Sequence, residues 1–217
     1  MKKPIDTKKM VLLAMLAAVA FLLVALIRIP VVLFLKYEPK DVVITIGGFL
    51  LGPMASFIVS LVVALVEMVS ISDTGPIGCL MNLLSSACFA CTAAAVYKHK
   101  RSLGGAVLGL VLGSVAMIVT MLLWNWLITP LYMTGTSRSQ IAGMLLPVFL
   151  PFNALKAGFN SALTLLLYKP LVSALRKTGL IPKAAAKPAS AKWGIYLLGI
   201  ALLATCILLL LVLRGIL

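Results

Sequence analysis

The chain has 217 residues, of which 63% are hydrophobic and only 11% are charged, and it carries a net charge of +14. Soluble domains hold about 45–50% apolar and about 25% charged residues, so an ordinary soluble globule is excluded, and the chain is far too apolar for disorder. A sequence pI near 10.0 raises the question of nucleic acid, but the basic residues cluster around apolar runs in a way that reads as membrane topology and removes nucleic acid as a partner.

A membrane helix needs about 20 mainly apolar residues to cross about 30 Å of hydrocarbon. Apolar runs cover 10–35, 42–71, 77–97, 103–133, 141–168 and 193–213. The second is too long for one span and breaks at Gly52-Pro53, where glycine frees the backbone and proline removes an amide donor. It is read as 42–52 and 54–70, the first short enough to sit partly within the fold. The expected architecture is an all-α integral membrane protein: a six-span block over 1–179, an Ala/Lys/Pro linker over 180–192, and one more helix in 193–217, an extra anchor or a lipid-facing packing helix. The first run is long and lacks a convincing small-residue cleavage site, so it reads as an uncleaved span.

Thirteen of the 19 basic residues fall in three clusters. Lys2, Lys3, Lys8 and Lys9 precede the first span. Lys98, Lys100 and Arg101 follow the fourth. Lys169, Arg176, Lys177, Lys183, Lys187 and Lys192 follow the sixth. All three lie on one side of the alternating topology, which the positive-inside rule makes cytoplasmic, together with the N-terminus. Their charge also suits anionic membrane lipid. Arg28, Lys36, Lys40 and Arg138 then lie outside, with the loops at 28–41, 71–76 and 130–140.

Chemistry-bearing motifs are scarce. There is no G-x-x-x-x-G-K-[ST] to cradle nucleotide phosphates and no H-E-x-x-H. The single histidine, His99, sits in a basic turn and reads as solvated. Cys88 and Cys91 form a C-x-x-C inside an apolar helix rather than at an exposed helix N-terminus, so they read as packing residues. Neither a disulfide framework nor a metal site is implied. Small residues at spacing four, Ala14 with Ala18 and Gly105 with Gly109 and Gly113, let another backbone approach closely. The glycines suit internal packing. The alanines suit either internal packing or docking of another membrane protein.

Polar residues inside a membrane are functional candidates by default. They gather in four places: Lys36-Tyr37-Glu38-Pro39-Lys40-Asp41; Ser72-Asp73-Thr74-Gly75-Pro76 with Asn82; Trp124-Asn125-Trp126 with Tyr132; and Pro151-Phe152-Asn153 through Lys156 to Asn160. Asn153, Lys156 and Asn160 are spaced i, i+3, i+7 and share one helical face. Amides offer donors and acceptors, and lysine offers donors. The set suits a flat heterocycle bearing carbonyls and an imide N–H. Trp124, Trp126, Phe152 and Tyr132 are candidate apolar walls, although Trp126 and Tyr132 equally suit an interfacial belt. Asp41 and Asp73 are candidates for either pocket or helix cap.

The runs KYEPKDV, IGGFLLGP, SDTGPIG, LLWNWLITPLYM and LPFNALKAGFNSALTLLLYKP, in that order over residues 8–180, resemble the riboflavin-specific S components of energy-coupling factor (ECF) transporters. The resemblance implies a six-helix membrane protein that captures riboflavin from outside as a transported substrate, not a cofactor, with the loop after the first span folding over the pocket. It implies a transmembrane coupling protein and two cytoplasmic ATPases as partners, with Ala14 and Ala18 facing the coupling protein. Flavin contacts are implied for Asn125, Asn153 and Lys156. The Leu35–Asp41 loop, with Tyr37, Glu38 and Asp41, is carried over less directly. Asp73, Thr74, Asn82 and Trp124 are expected near the pocket. The helix at 193–213 departs from the pattern.

Two rival classes compete with this reading. A membrane enzyme would have only Glu67 and Asp73 as acid candidates, with no nearby histidine or metal-ligand spacing, so the chain is expected not to be an enzyme. A stand-alone secondary transporter of a small heterocyclic solute would normally show an internal repeat or paired broken helices, and no repeat is visible across the six-span block.

Overall fold

A computed structural model describes residues 7–33, 35–72, 74–132, 137–177 and 193–216. The 180–192 linker, Asp73, and Lys2 and Lys3 lie outside them. Nine α-helices and one hairpin are described: α1 (Thr7–Leu26), β1 (Ile29–Val32), β2 (Leu35–Tyr37), α2 (Lys40–Leu51), α3 (Pro53–Ser70), α4 (Gly75–His99), α5 (Leu103–Leu127), α6 (Thr129–Tyr132), α7 (Arg138–Met144), a π-turn (Leu145–Phe149), α8 (Leu150–Lys177) and α9 (Trp193–Leu213).

The first apolar run does not stay helical to residue 35. It leaves the helix after Leu26 and forms β1, which pairs antiparallel with β2 in the register Ile29↔Tyr37, Pro30↔Lys36 and Val32↔Leu35. Pro30 cannot donate to a helical ladder, and Ile29, Val31 and Val32 are β-branched and favour the pleated backbone. Leu33 makes the turn at φ +50°.

The break at Gly52-Pro53 occurs as expected. Gly52 takes φ +98°, and Pro53 opens α3 where its missing amide costs nothing. The 12 residues of α2 span about 18 Å, too little to cross a bilayer. Lys40 through Phe49 are all buried, because α2 runs between α1, α3, α4 and α8. Among the described residues, six helical stretches are therefore long and apolar enough to span a membrane, and α2 is a buried half-span inside the block.

In α1, Leu12, Leu16, Ala20 and Val24 form a buried stripe at spacing four that meets α2 and α3. Ala14 and Ala18 lie on the exposed face. The glycine run of α5 is an internal seam. A Cβ on Gly109 would lie 2.6 Å from the Ala93 carbonyl oxygen, and one on Gly113 2.5 Å from that of Phe89. Cys88 donates to Thr120 Oγ1 and Cys91 to the Pro53 carbonyl, each at 3.5 Å, so the C-x-x-C pair is spent on packing. His99 is exposed.

Gly109→Ala is expected to lower the stability of the purified protein by about 1–3 kcal/mol, because its methyl meets backbone that cannot rotate away. Gly104→Ala, with nothing within 4 Å of its Cβ, is expected to be neutral. Thermal unfolding in detergent compares the two.

Candidate functional site

One end of the bundle holds a cleft of about 150 Å³. Its polar lining is Arg28, Lys36, Glu38, Glu67, Ser72, Thr74, Asn82, Ser85, Asn125, Asn153 and Lys156, and its apolar lining is Leu35, Met81, Met121 and Phe152. The hairpin and its flanks, the α3–α4 corner, the end of α5 and the start of α8 thus converge on one space.

The approach to α8 is shaped by proline. Ser137 opens α7 with a capping box, accepting from the Gln140 amide while its own amide donates to Gln140 Oε1 at 2.8 Å. Pro147 then removes a helical amide, and the ladder widens to a π-turn over Leu145–Phe149. From there Asn153 Nδ2 donates to the Phe149 carbonyl at 2.7 Å. Asn125 is held in the same way by the Met121 carbonyl at 2.7 Å, while its Oδ1 accepts from Thr129 Oγ1 at 3.0 Å. Asn153 is thus anchored through its amide nitrogen and Asn125 through both amide groups, each with its side chain at the cleft wall.

Lys156 Nζ donates to Ser85 Oγ at 3.0 Å and faces Asp41 Oδ2 at 3.5 Å. Asp41 is fully buried behind it. It accepts from Ser86 Oγ and, at 3.1 Å, from Asn160 Nδ2. Asn160 Oδ1 accepts from the Tyr37 hydroxyl at 3.1 Å. Burial, with Asp41 close by, pushes the Tyr37 phenol well above its ordinary range, so it stays neutral and keeps its donor. Its ring also packs on Phe159, centroids 5.0 Å apart.

A second ion cluster closes the mouth. Lys40 donates to both oxygens of Glu67, at 2.6 and 2.7 Å, and lies 3.1 Å from Glu38. Asn82 Nδ2 donates to Glu67 Oε2 at 2.8 Å, and Arg28 Nε lies 3.2 Å from Glu38. Both Lys40 and Glu67 are 1% exposed. Each hydrocarbon-shielded charge is thereby paired and hydrogen-bonded.

Asn125, Asn153, Lys156, Glu38, Thr74 and Asn82 all line the cleft. Tyr37 and Asp41 do not. They stand behind Lys156 and Asn160 as support, because the hydroxyl and carboxylate are consumed by neighbouring side chains. Trp124 also departs from its expected place: its ring packs into the core between the helices. Trp126 is half exposed and forms no wall. Asp73 lies outside the described residues, as does the Tyr132 side chain. Arg28, Lys40, Glu67 and Ser85 are not among the site residues expected from the sequence, yet they form the framework of the cleft. Its signal was a lone Glu in the apolar α3 and a Lys at the head of the apolar α2, charges that need each other.

The family described as "ECF transporter, substrate-specific component" matches residues 8–168. The chain is 32% identical over 181 residues to the riboflavin transporter RibU of Staphylococcus aureus (strain TCH60), covering 79% of this chain and 94% of that relative. It is 29% identical over 160 residues to the riboflavin transporter FmnP of Bacillus subtilis (strain 168), covering 69% and 84%. A solved structure described as "Structure and mechanism of the S component of a bacterial ECF transporter" superposes with a TM-score of 0.64 at 32% identity, over 78% of this chain and 98% of that one.

Glu67→Leu removes the bidentate partner of the buried Lys40 ammonium, leaving Glu38 at 3.1 Å as its carboxylate, and is expected to cost about 1–3 kcal/mol. Lys40→Met combined with Glu67→Leu is expected to recover most of that loss. Unfolding midpoints of the two variants, read side by side, check the pairing.

Proposed function

Because this chain belongs to the substrate-specific components of ECF transporters, we propose that it is a riboflavin-capturing subunit that loads at the extracellular face. The observation that carries the reading is the 32% identity to a riboflavin transporter across 94% of that relative. The cleft chemistry supports it. An isoalloxazine ring is flat and apolar across its faces, with carbonyls and an imide N–H at one edge. Phe152, Leu35, Met81 and Met121 supply apolar walls at the cleft. Asn153 and Lys156 donate to the ring carbonyls. Lysine has three N–H groups, so it serves a ligand while keeping Asp41 and Ser85. Asn125 meets another polar edge or the ribityl chain, and Glu38, Thr74 and Asn82 border the mouth. Tyr37 and Asp41 position Lys156 and Asn160, and Trp124 steadies α5 from the core.

In this reading the N-terminus and the three basic clusters are cytoplasmic, and the hairpin and cleft face outside. The partners are a transmembrane coupling protein, docking on the exposed Ala14/Ala18 face, and two ATPases that supply the energy this chain has no nucleotide motif to harvest. The chain binds and delivers; it performs no chemistry on its cargo.

The purified protein is expected to be yellow, with flavin bands in its absorbance spectrum; a colourless preparation that takes up no added riboflavin would refute the reading. Asn153→Ala or Lys156→Ala removes a buried hydrogen bond worth about 1–3 kcal/mol, roughly 5–150-fold in affinity. Titration of each variant checks this. Ala14→Leu with Ala18→Leu is expected to abolish ATP-driven uptake in cells while leaving riboflavin binding by the purified chain intact. Uptake by the chain alone in proteoliposomes would instead favour a secondary transporter.

A further inference from the structure

The family match ends at residue 168, and the aligned S-component structure is 98% covered by 78% of this chain. Helix α9 begins at Trp193, beyond that match. It does not stand apart in lipid. It runs along α8, and glycines on the two helices let them close. A Cβ on Gly158 of α8 would lie 2.4 Å from Cys206 Sγ, and one on Gly199 of α9 would lie 3.1 Å from Leu166. The opposite side of α9, with Leu197, Leu208 and Val212, is exposed as a lipid-facing surface.

The buried side of α9 reaches the hairpin. Cys206, 5% exposed, shares one apolar cluster with Val31, Leu35 and Tyr37 of the hairpin and with Phe152 and Phe159 of α8; Leu202, Leu209 and Leu213 of α9 pack on that cluster. The end of α9 touches β1, and Pro30–Leu33 share a groove with Leu213, Arg214 and Ile216. Two strands this short are not stable alone. Their apolar partners here are Ile141 of α7, Phe149 of the π-turn, and helices α8 and α9.

The same hairpin borders the cleft through Leu35 and Lys36. At about 150 Å³ the cleft is smaller than the roughly 300–1,000 Å³ of small-molecule sites. A three-ring ligand therefore requires the cleft to widen, and the hairpin is the shortest element on its border. We infer that α9 is a strap, added outside the six-span block, that holds the β1–β2 hairpin closed over the cleft and slows ligand exchange. The ligand's identity, though not the strap, rests on the riboflavin reading above.

The test uses full-length variants. Gly158→Ala wedges α9 away from α8 at Cys206, and Leu213→Ala removes a contact beside β1. Each is expected to raise amide hydrogen exchange across residues 29–37 of the ligand-free protein and to speed riboflavin release by about five- to thirty-fold. Gly158→Ala with Cys206→Ala is expected to restore both, since Sγ is the atom in the way. Leu208→Ala, on the lipid side, should change neither. Unchanged hairpin exchange in both Gly158→Ala and Leu213→Ala overturns the strap, as does an equal rise in Leu208→Ala. If the unaltered chain binds no riboflavin, the ligand reading falls, and hairpin exchange alone still decides the strap. Leu213→Ala stands by itself should Gly158→Ala fail to fold.

Discussion

Asp41 sits fully buried at the head of α2, and side chains from three other elements turn inward to satisfy it. Ser86 from α4 and Asn160 from α8 donate to its carboxylate, Lys156 from α8 supplies the opposite charge at 3.5 Å, and Tyr37 of β2 donates to Asn160 in turn. A carboxylate shielded from water survives only with such a shell. The need to supply it fixes the depth of α2, the rotation of α8 and the closed position of the hairpin together. The face of α8 that meets Asp41 is also the face that presents Asn153 and Lys156 to the cleft. Support and binding are thus set by one geometry.

The Lys40–Glu67 pair repeats the logic one layer nearer the mouth. Glu38, next to Pro39 and the hairpin, joins Lys40 and Arg28, so the chain entering and leaving the hairpin is clamped by charge. Apolar packing from α9 adds a second restraint from behind. An S component must hold its cargo and also release it, and a mouth closed by two short strands between an ion cluster and a helix is a part whose opening can be graded. The half-length α2 serves the same end. Because it stops after 12 residues, it brings Asp41 and Lys40 into the bundle without adding a span.

Particular residues show how far the pattern could be read directly. The Gly52-Pro53 break was legible because its cause is local backbone chemistry. The amide–lysine–amide face of α8 was legible because helical spacing alone places it. The strand at 29–32 was not, because an apolar run that satisfies a hydropathy threshold can be helix or strand until its pairing partner is known. Trp124 is expected at the site as an apolar wall, yet adjacent helical residues point about 100° apart, and with Asn125 at the cleft the bundle takes the Trp124 ring into its core.

Composition, charge placement and helical period by themselves determined a multi-pass helical membrane protein with one polar face in α8, since hydrophobic length and periodicity are properties of consecutive residues. Motif order added the family. Tertiary structure alone decided which charges cancel, because Lys40 with Glu67 and Lys156 with Asp41 are separated by 27 and 115 positions and meet only when helices pack. It alone turned the end of the first apolar run into a hairpin at the cleft, and it alone gave the last helix a neighbour. The composition that opened as an apolar chain with an excess of +14 ends as a bundle whose few buried charges are paired around one cleft.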